Sequence, residues 1–156
     1  MDHSLAGQDA ANAQRAAWMR VLSLASPAAL EGAFSALGSV PAHQMLRPAQ
    51  TGMAMVRARS GGTGARFNLG EMTVTRCAVT LGDGVVGVAY VQGRSLRHAE
   101  QAAVADALLQ LPDWHDTVQA HLIQPLARQH AERAERQAQV AEQTKVEFFT
   151  MVRGED

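Results

Sequence analysis

The sequence predicts an α+β domain: an N-terminal helical hairpin, an antiparallel meander of about three strands, two C-terminal helices and an extended apolar tail. Three observations carry that expectation. Apolar residues recur at three- and four-residue spacing near both ends of the chain. The middle holds three strand-length segments rich in valine, threonine and methionine. Two of those segments are joined by Gly82-Asp83-Gly84, a spacing typical of a tight hairpin turn.

The hairpin spans 10–38. Trp18, Val21, Leu22 and Ala25 form one apolar stripe. Ser26 then reads as an N-cap and Pro27 as the first position of a second helix. Leu30, Ala33, Phe34 and Leu37 continue the period, and Gly38 stands where a left-handed cap closes a helix. The connector SVPAHQMLRPAQ shows no period. The sheet is expected over 50–92, in the segments TGMAMVRARS, EMTVTRCAVTL and VVGVAYVQG, with GGTGARFNLG as a wide hairpin loop. Met53 and Met55 share one face, and Ala54, Val56 and Ala58 the other. A sheet apolar on both sides needs cover on both.

Helices follow over 95–143. Ser95 reads as an N-cap, and Val104, Ala107, Leu108 and Leu111 supply a buried stripe. Pro112 breaks the run, Trp114, Val118 and Leu122 edge the next helix, and Pro125 kinks or restarts it. From Leu126 to Glu142 the segment is helical but polar, with Glu132 and Arg136 in favourable i,i+4 order. The tail, 145–156, holds Phe148, Phe149, Met151, Val152 and Arg153. Burying each phenylalanine is worth roughly 1.5–3 kcal/mol, so the tail reads as a docking segment and these five residues as partner-interface candidates.

Composition narrows the function. At 156 residues the chain fits a single domain spanning 1–156. Fourteen basic residues against 15 acidic ones disfavour a generic nucleic-acid binder. Lys145 is the sole lysine, a skew explained either by genome composition or by planar contacts to carboxylate and phosphate. Cys77 is alone, so no internal disulfide and no cysteine zinc site forms, and it reads as a buried structural thiol. No stretch approaches the ~20 apolar residues of a membrane span, and the N-terminus lacks a secretion pattern. A cytoplasmic protein without membrane contact is expected.

The candidate chemistry is sparse. Gly61, Gly62, Thr63 and Gly64 with Arg66 read either as a turn-forming loop or as an anion cradle aided by Arg76. The Walker and dinucleotide spacings are absent there. Arg57 and Arg59 share a face and suit anions, acidic side chains across an interface, or solvent. His98 and Glu100 stand close in sequence, but adjacent helical positions face each other poorly. His43, His115, His121 and His130 show no ligand spacing. No catalytic or metal-binding residue is assigned.

The stretch RPAQTGMAMVRARSGGTGARFNLGEMTVTRCAVTL, followed in order by GVAYVQGR, HAE and KVEFFTMVRGED and preceded by QRAAWMRVLSLASPAAL, resembles the PhnG family of the bacterial carbon–phosphorus lyase system. The resemblance covers nearly the whole chain and is weakest around RQHAERAERQAQ. It implies a hetero-oligomer with PhnH, PhnI, PhnJ and PhnL type subunits in organic phosphonate catabolism. It further implies a share in a transferase reaction, the synthesis of α-D-ribose 1-methylphosphonate 5-triphosphate, in which phosphonate displaces adenine from C1′ of ATP. ATP and phosphonate are then substrates of the complex, with no cofactor held by this chain. The base-displacing site is attributed to PhnI, and carbon–phosphorus cleavage to the iron–sulfur radical chemistry of PhnJ. This chain would mainly assemble and shape the site. The alternative is direct binding of triphosphate or phosphonate by the glycine-rich loop and arginines.

Overall fold

A helix that is buried nearly all round organises the molecule. The computed structural model describes residues 3–143. In chain order the elements are α1 (His3–Leu24), α2 (Pro27–Ala36), β1 (His43–Arg59), β2 (Arg66–Leu81), β3 (Val86–Gln92), α3 (Leu96–Leu109), α4 (Pro112–Val118) and α5 (Gln124–Gln143). The strands form one antiparallel meander in the order β1-β2-β3. Helix α3 lies across the inner face of that sheet, and α1, α2 and α4 pack around α3.

Local chemistry explains these boundaries. Ser26 caps α2 by accepting from the Ala29 N–H at 3.2 Å, and Gly38 follows the helix at φ 75°. Ser95 caps α3 through the His98 N–H at 3.2 Å. The β2–β3 turn closes with Gly84 N donating to Leu81 O at 2.9 Å and Leu81 N to Val85 O at 2.9 Å, with Gly84 at φ 84°. Pro125 lacks the N–H that residue 121 would receive and crowds its carbonyl; a π-helical turn over Gln119–Ile123 widens the backbone just before it. The chain therefore continues into α5 rather than stopping.

Three expected boundaries shift. Helix α1 begins at His3 rather than about residue 10, because the mostly polar turns before Ala10 are helical without an apolar stripe to mark them. The connector at 39–50 is mostly strand: β1 begins at His43 and runs through Pro48. As an outer strand β1 tolerates a proline, and register shifts at Met45/Arg47 and Arg47/Gln50 break its alternation. The expected wide loop is also shorter, since Phe67, Asn68 and Gly70 already pair with β1.

The core joins Trp18, Leu22 and Leu30 to Cys77, Val79, Leu81, Ala89 and Val91 of the sheet, through Val104, Leu108 and Leu109 of α3 and Val118, Leu122 and Leu126 beyond it. Along β2, Thr75, Cys77, Val79 and Leu81 point inward, while Arg76, Ala78 and Thr80 face out. Gly87 lets β3 touch α3: a Cβ there would collide with the Ala103 carbonyl oxygen and reach 2.7 Å from Ala107 N. Asp106, wholly buried, fastens three elements. Its Oδ1 accepts from Arg15 Nε at 3.1 Å and Trp18 Nε1 at 2.8 Å; its Oδ2 accepts from Arg15 Nη2 at 2.7 Å and the Val88 N–H at 2.9 Å. One carboxylate thus ties α1 and β3 to α3 with its lone pairs satisfied.

Candidate functional site

The sheet is longer than its support. β3 pairs with β2 only between Val74 and Thr80. β1 and β2 go on pairing outward, from Gly52 opposite Val74 to Arg59 opposite Arg66. Residues 52–72 therefore make a two-stranded arm, about 26 Å long at ~3.3 Å per residue. A lone two-stranded ribbon is marginal in water, yet this one shows large apolar side chains: Met53 is 69% exposed, Leu69 64%, Met55 53% and Phe67 45%.

Register assigns the two sides of the arm. Met53, Met55, Arg57 and Arg59 alternate along one side, with Thr73, Glu71, Asn68 and Arg66 opposite them. Ala54, Val56 and Ala58 occupy the other, opposite Met72, Gly70 and Phe67. A register shift between Val56 and Arg57 leaves Leu69 as the extra residue.

The anion candidates do not converge on one point. Arg57, Arg59 and Arg66 share one side at the tip. Arg76 lies ten residues along β2, about 33 Å away at strand rise, on the outer face beside Gln50, to whose Oε1 it donates at 3.3 Å. A single phosphate cannot touch both ends. At the tip itself Gly61 and Gly62 adopt φ 60° and 81°, a bend that favours glycine. The Thr63 and Gly64 amides both turn onto the Ser60 carbonyl, the latter at 2.9 Å, and Arg59 Nη1 donates to Gly64 O at 3.0 Å. These groups rigidify the turn instead of pointing outward. The interface candidates Phe148, Phe149, Met151, Val152 and Arg153 lie outside the described residues.

His98 and Glu100 do not pair. His98 is buried, and its Nε2 donates to the Leu22 carbonyl at 2.7 Å, which leaves Nδ1 as a buried acceptor with no partner among the described residues. Burial lowers the His98 pKa below its ordinary value, an effect partly opposed by the Leu22 contact. Glu100 instead approaches His43 Nε2 at 3.5 Å. His115 donates from Nδ1 to Leu109 O at 2.7 Å and sets its ring edge-on to Trp18. Burial, helped by nearby Glu100, raises the Cys77 pKa and keeps it a thiol. Among the described residues no cluster of three or more metal-ligating side chains occurs, and no helix is long and apolar enough to cross a membrane. The i,i+4 pair Glu132–Arg136 stands at 3.9 Å with both side chains exposed, so it contributes little.

Beside the arm's root, a groove of about 600 Å³ runs between α1 and β3, an outer strand of the sheet. Met19, Arg20 and Ser23 form one wall and Val88 and Tyr90 the other. Exposed Tyr90 and Val86 extend this apolar surface over the sheet face that no described element covers.

Comparison with known proteins decides the relationship. The family described as "Phosphonate metabolism protein PhnG" matches residues 13–154. The chain belongs to the PhnG family. A curated relative from Rhizobium meliloti (strain 1021), named alpha-D-ribose 1-methylphosphonate 5-triphosphate synthase subunit PhnG, is 42% identical over 156 residues, covering 100% of this chain and 99% of that one. In this PhnG-family chain the matched span takes in most of α1, the whole arm and all but the last two residues of the tail. The sequence places Met53 and Met55 on one sheet face and offers Arg57, Arg59 and Arg66 as candidates, and all five lie on the arm. Sequence reading missed Phe67 and Leu69, assigned to a loop, because the register shift at Leu69 breaks the alternation that marks a strand.

Proposed function

We propose that this chain is a non-catalytic assembly subunit of an α-D-ribose 1-methylphosphonate 5-triphosphate synthase complex in phosphonate catabolism. PhnH, PhnI, PhnJ and PhnL type subunits are its companions, with ATP and phosphonate the substrates of the whole. The arm carries this reading: four large apolar residues, each 45–69% exposed, sit on a ribbon that its own core supports at one end only. Ordering such a ribbon costs conformational entropy that its own contacts do not offset, so another surface must bury it. The relative's name, which describes a synthase subunit, supplies the setting. The docking role of 145–156 and the interface roles of Arg57 and Arg59 belong to the same proposal.

Co-expression with the companion subunits tests it. Met53→Ser with Met55→Ser, and separately deletion of 145–156, each reduce recovery of this chain in the complex, while circular dichroism of the isolated chain keeps its helical signal. Full assembly by both variants would end the proposal. A second reading, direct binding of triphosphate or phosphonate, draws on the clustering of Arg57, Arg59 and Arg66 beside Gly61–Gly64. Calorimetric titration of the chain with ATP and methylphosphonate addresses it; binding lost in Arg66→Ala supports that role. Arg76→Ala serves as the distant control.

A further inference from the structure

The arm's charge is as uneven as its hydrophobicity, and together they describe what it docks against. This inference rests on the assembly reading above and adds the chemistry of the partner surface. Residues 52–72 hold three basic residues, Arg57, Arg59 and Arg66, against one acidic residue, Glu71, a local net of +2. The whole chain is net −1, with 14 basic and 15 acidic residues, so everything outside the arm sums to −3. Positive charge is thus gathered on the projecting tip of an otherwise acidic molecule.

Geometry sharpens the picture. Arg57 and Arg59 stand two residues apart on β1, about 6.6 Å along the strand, and Arg66 faces Arg59 across the ribbon. Met53 and Met55 continue the same side toward the body, while the other side, Ala54, Val56, Ala58, Phe67 and Met72, is uncharged. All three arginines are exposed, and among the described residues none has a carboxylate within salt-bridge distance.

We infer that the arm lies along an apolar groove of a companion protein subunit, with carboxylates at the groove's far end. The methionines pack into the groove, and Arg57, Arg59 and Arg66, farther out on the same side, pair with those carboxylates. A phosphate ligand needs donors that converge, and here the tip is the end of a projecting ribbon whose Thr63 and Gly64 amides are already turned onto Ser60. Nucleic acid favours a broad basic face, and the rest of this molecule is acidic. Two thioethers followed by two guanidinium groups on one side of a strand match a protein surface on which an apolar patch adjoins an acidic one.

The test measures association of the full chain with the complex assembled without it, at about 50 and about 500 mM salt. Three proteins are compared: wild type, the reversal Arg57→Glu/Arg59→Glu/Arg66→Glu, and Met53→Ser/Met55→Ser. Wild-type association slows as salt rises. The reversed arm associates at least about tenfold more slowly at low salt, with the difference shrinking at high salt. The methionine variant dissociates faster at both salts. If the methionine variant weakens binding while reversal does not, the arm docks but its partner is not acidic, and this inference alone falls. If neither variant changes association, the arm does not dock, and the arm's part in the assembly reading falls with the inference. If the isolated chain binds ATP or tripolyphosphate, and reversal abolishes that binding while sparing assembly, the arginines belong to an anion site and the inference is overturned. Equal thermal midpoints for the three isolated chains establish that both variants fold.

Discussion

Replacing Asp106 by asparagine changes no volume and removes one charge from the most connected side chain of the core. In the native protein four donors converge on two oxygens: Arg15 Nε and Trp18 Nε1 on one, Arg15 Nη2 and the Val88 N–H on the other. Either orientation of the amide sets its NH2 group against two of those donors. One is an arginine N–H, and Arg15 is 33% exposed, so water restores part of that loss. The other is the Trp18 N–H or the Val88 N–H, and leaving such a group unpaired in the interior costs about 1–3 kcal/mol. Removing one partner of a buried ion pair costs about 3–5 kcal/mol; with the arginine part-solvated, the low end applies, about 3 kcal/mol for the substitution. In a domain of this length each kcal/mol moves the thermal midpoint by about 2–4 °C, so a drop of about 6–12 °C is expected. Urea unfolding followed by tryptophan fluorescence reads the same change at constant m-value. Trp18→Phe, which removes one of the four bonds, should cost about 1 kcal/mol. A loss below about 1 kcal/mol for Asp106→Asn would refute the claim that this carboxylate fastens α1 and β3 to α3.

Other consequences follow from single contacts. Gly87→Ala drives a methyl into the Ala103 carbonyl and the Ala107 amide, so strand and helix must part; a stability loss of at least about 1–3 kcal/mol is expected in denaturant melts. The lowered His98 pKa makes the unfolded chain take up its proton first as pH falls below 6.5. Stability from this group is therefore complete above that value and is lost as pH drops from there toward the folded-state pKa. His98→Gln keeps a donor for Leu22 O and should flatten that part of the curve of urea midpoint against pH. Cys77, a buried thiol with a raised pKa, should resist aromatic disulfide reagents in the native protein and react at once in urea; rapid native labelling would contradict its placement.

The sequence exposed some of this plan and concealed the rest for physical reasons. Ser26-Pro27 and Gly38, Ser95, and Gly82-Asp83-Gly84 are local signals whose meaning depends on backbone sterics alone, and each stands where the sequence places it. β1 was half hidden because its register shifts around Leu46, Pro48 and Ala49 destroy period-two alternation. The same effect at Leu69 disguised the far end of β2 as a loop. Asp106 gave no signal at all, since a lone acid among alanines and leucines reads as a solvent-facing helical position until the fold sets Arg15 and Trp18 beside it. The separation of Arg66 from Arg76 was equally invisible: residues near in sequence end far apart when the segment between them is fully extended.

Hydrogen exchange of the arm, measured residue by residue in the isolated chain and in the assembled complex, tests most directly whether another protein completes this domain. The account requires the amides of 52–72 to exchange rapidly in isolation and to become protected at least about 100-fold on assembly, while those of α3 are protected in both states. Exchange in the arm that is equally fast in both states would show that its apolar residues face water throughout, and that assembly does not depend on them.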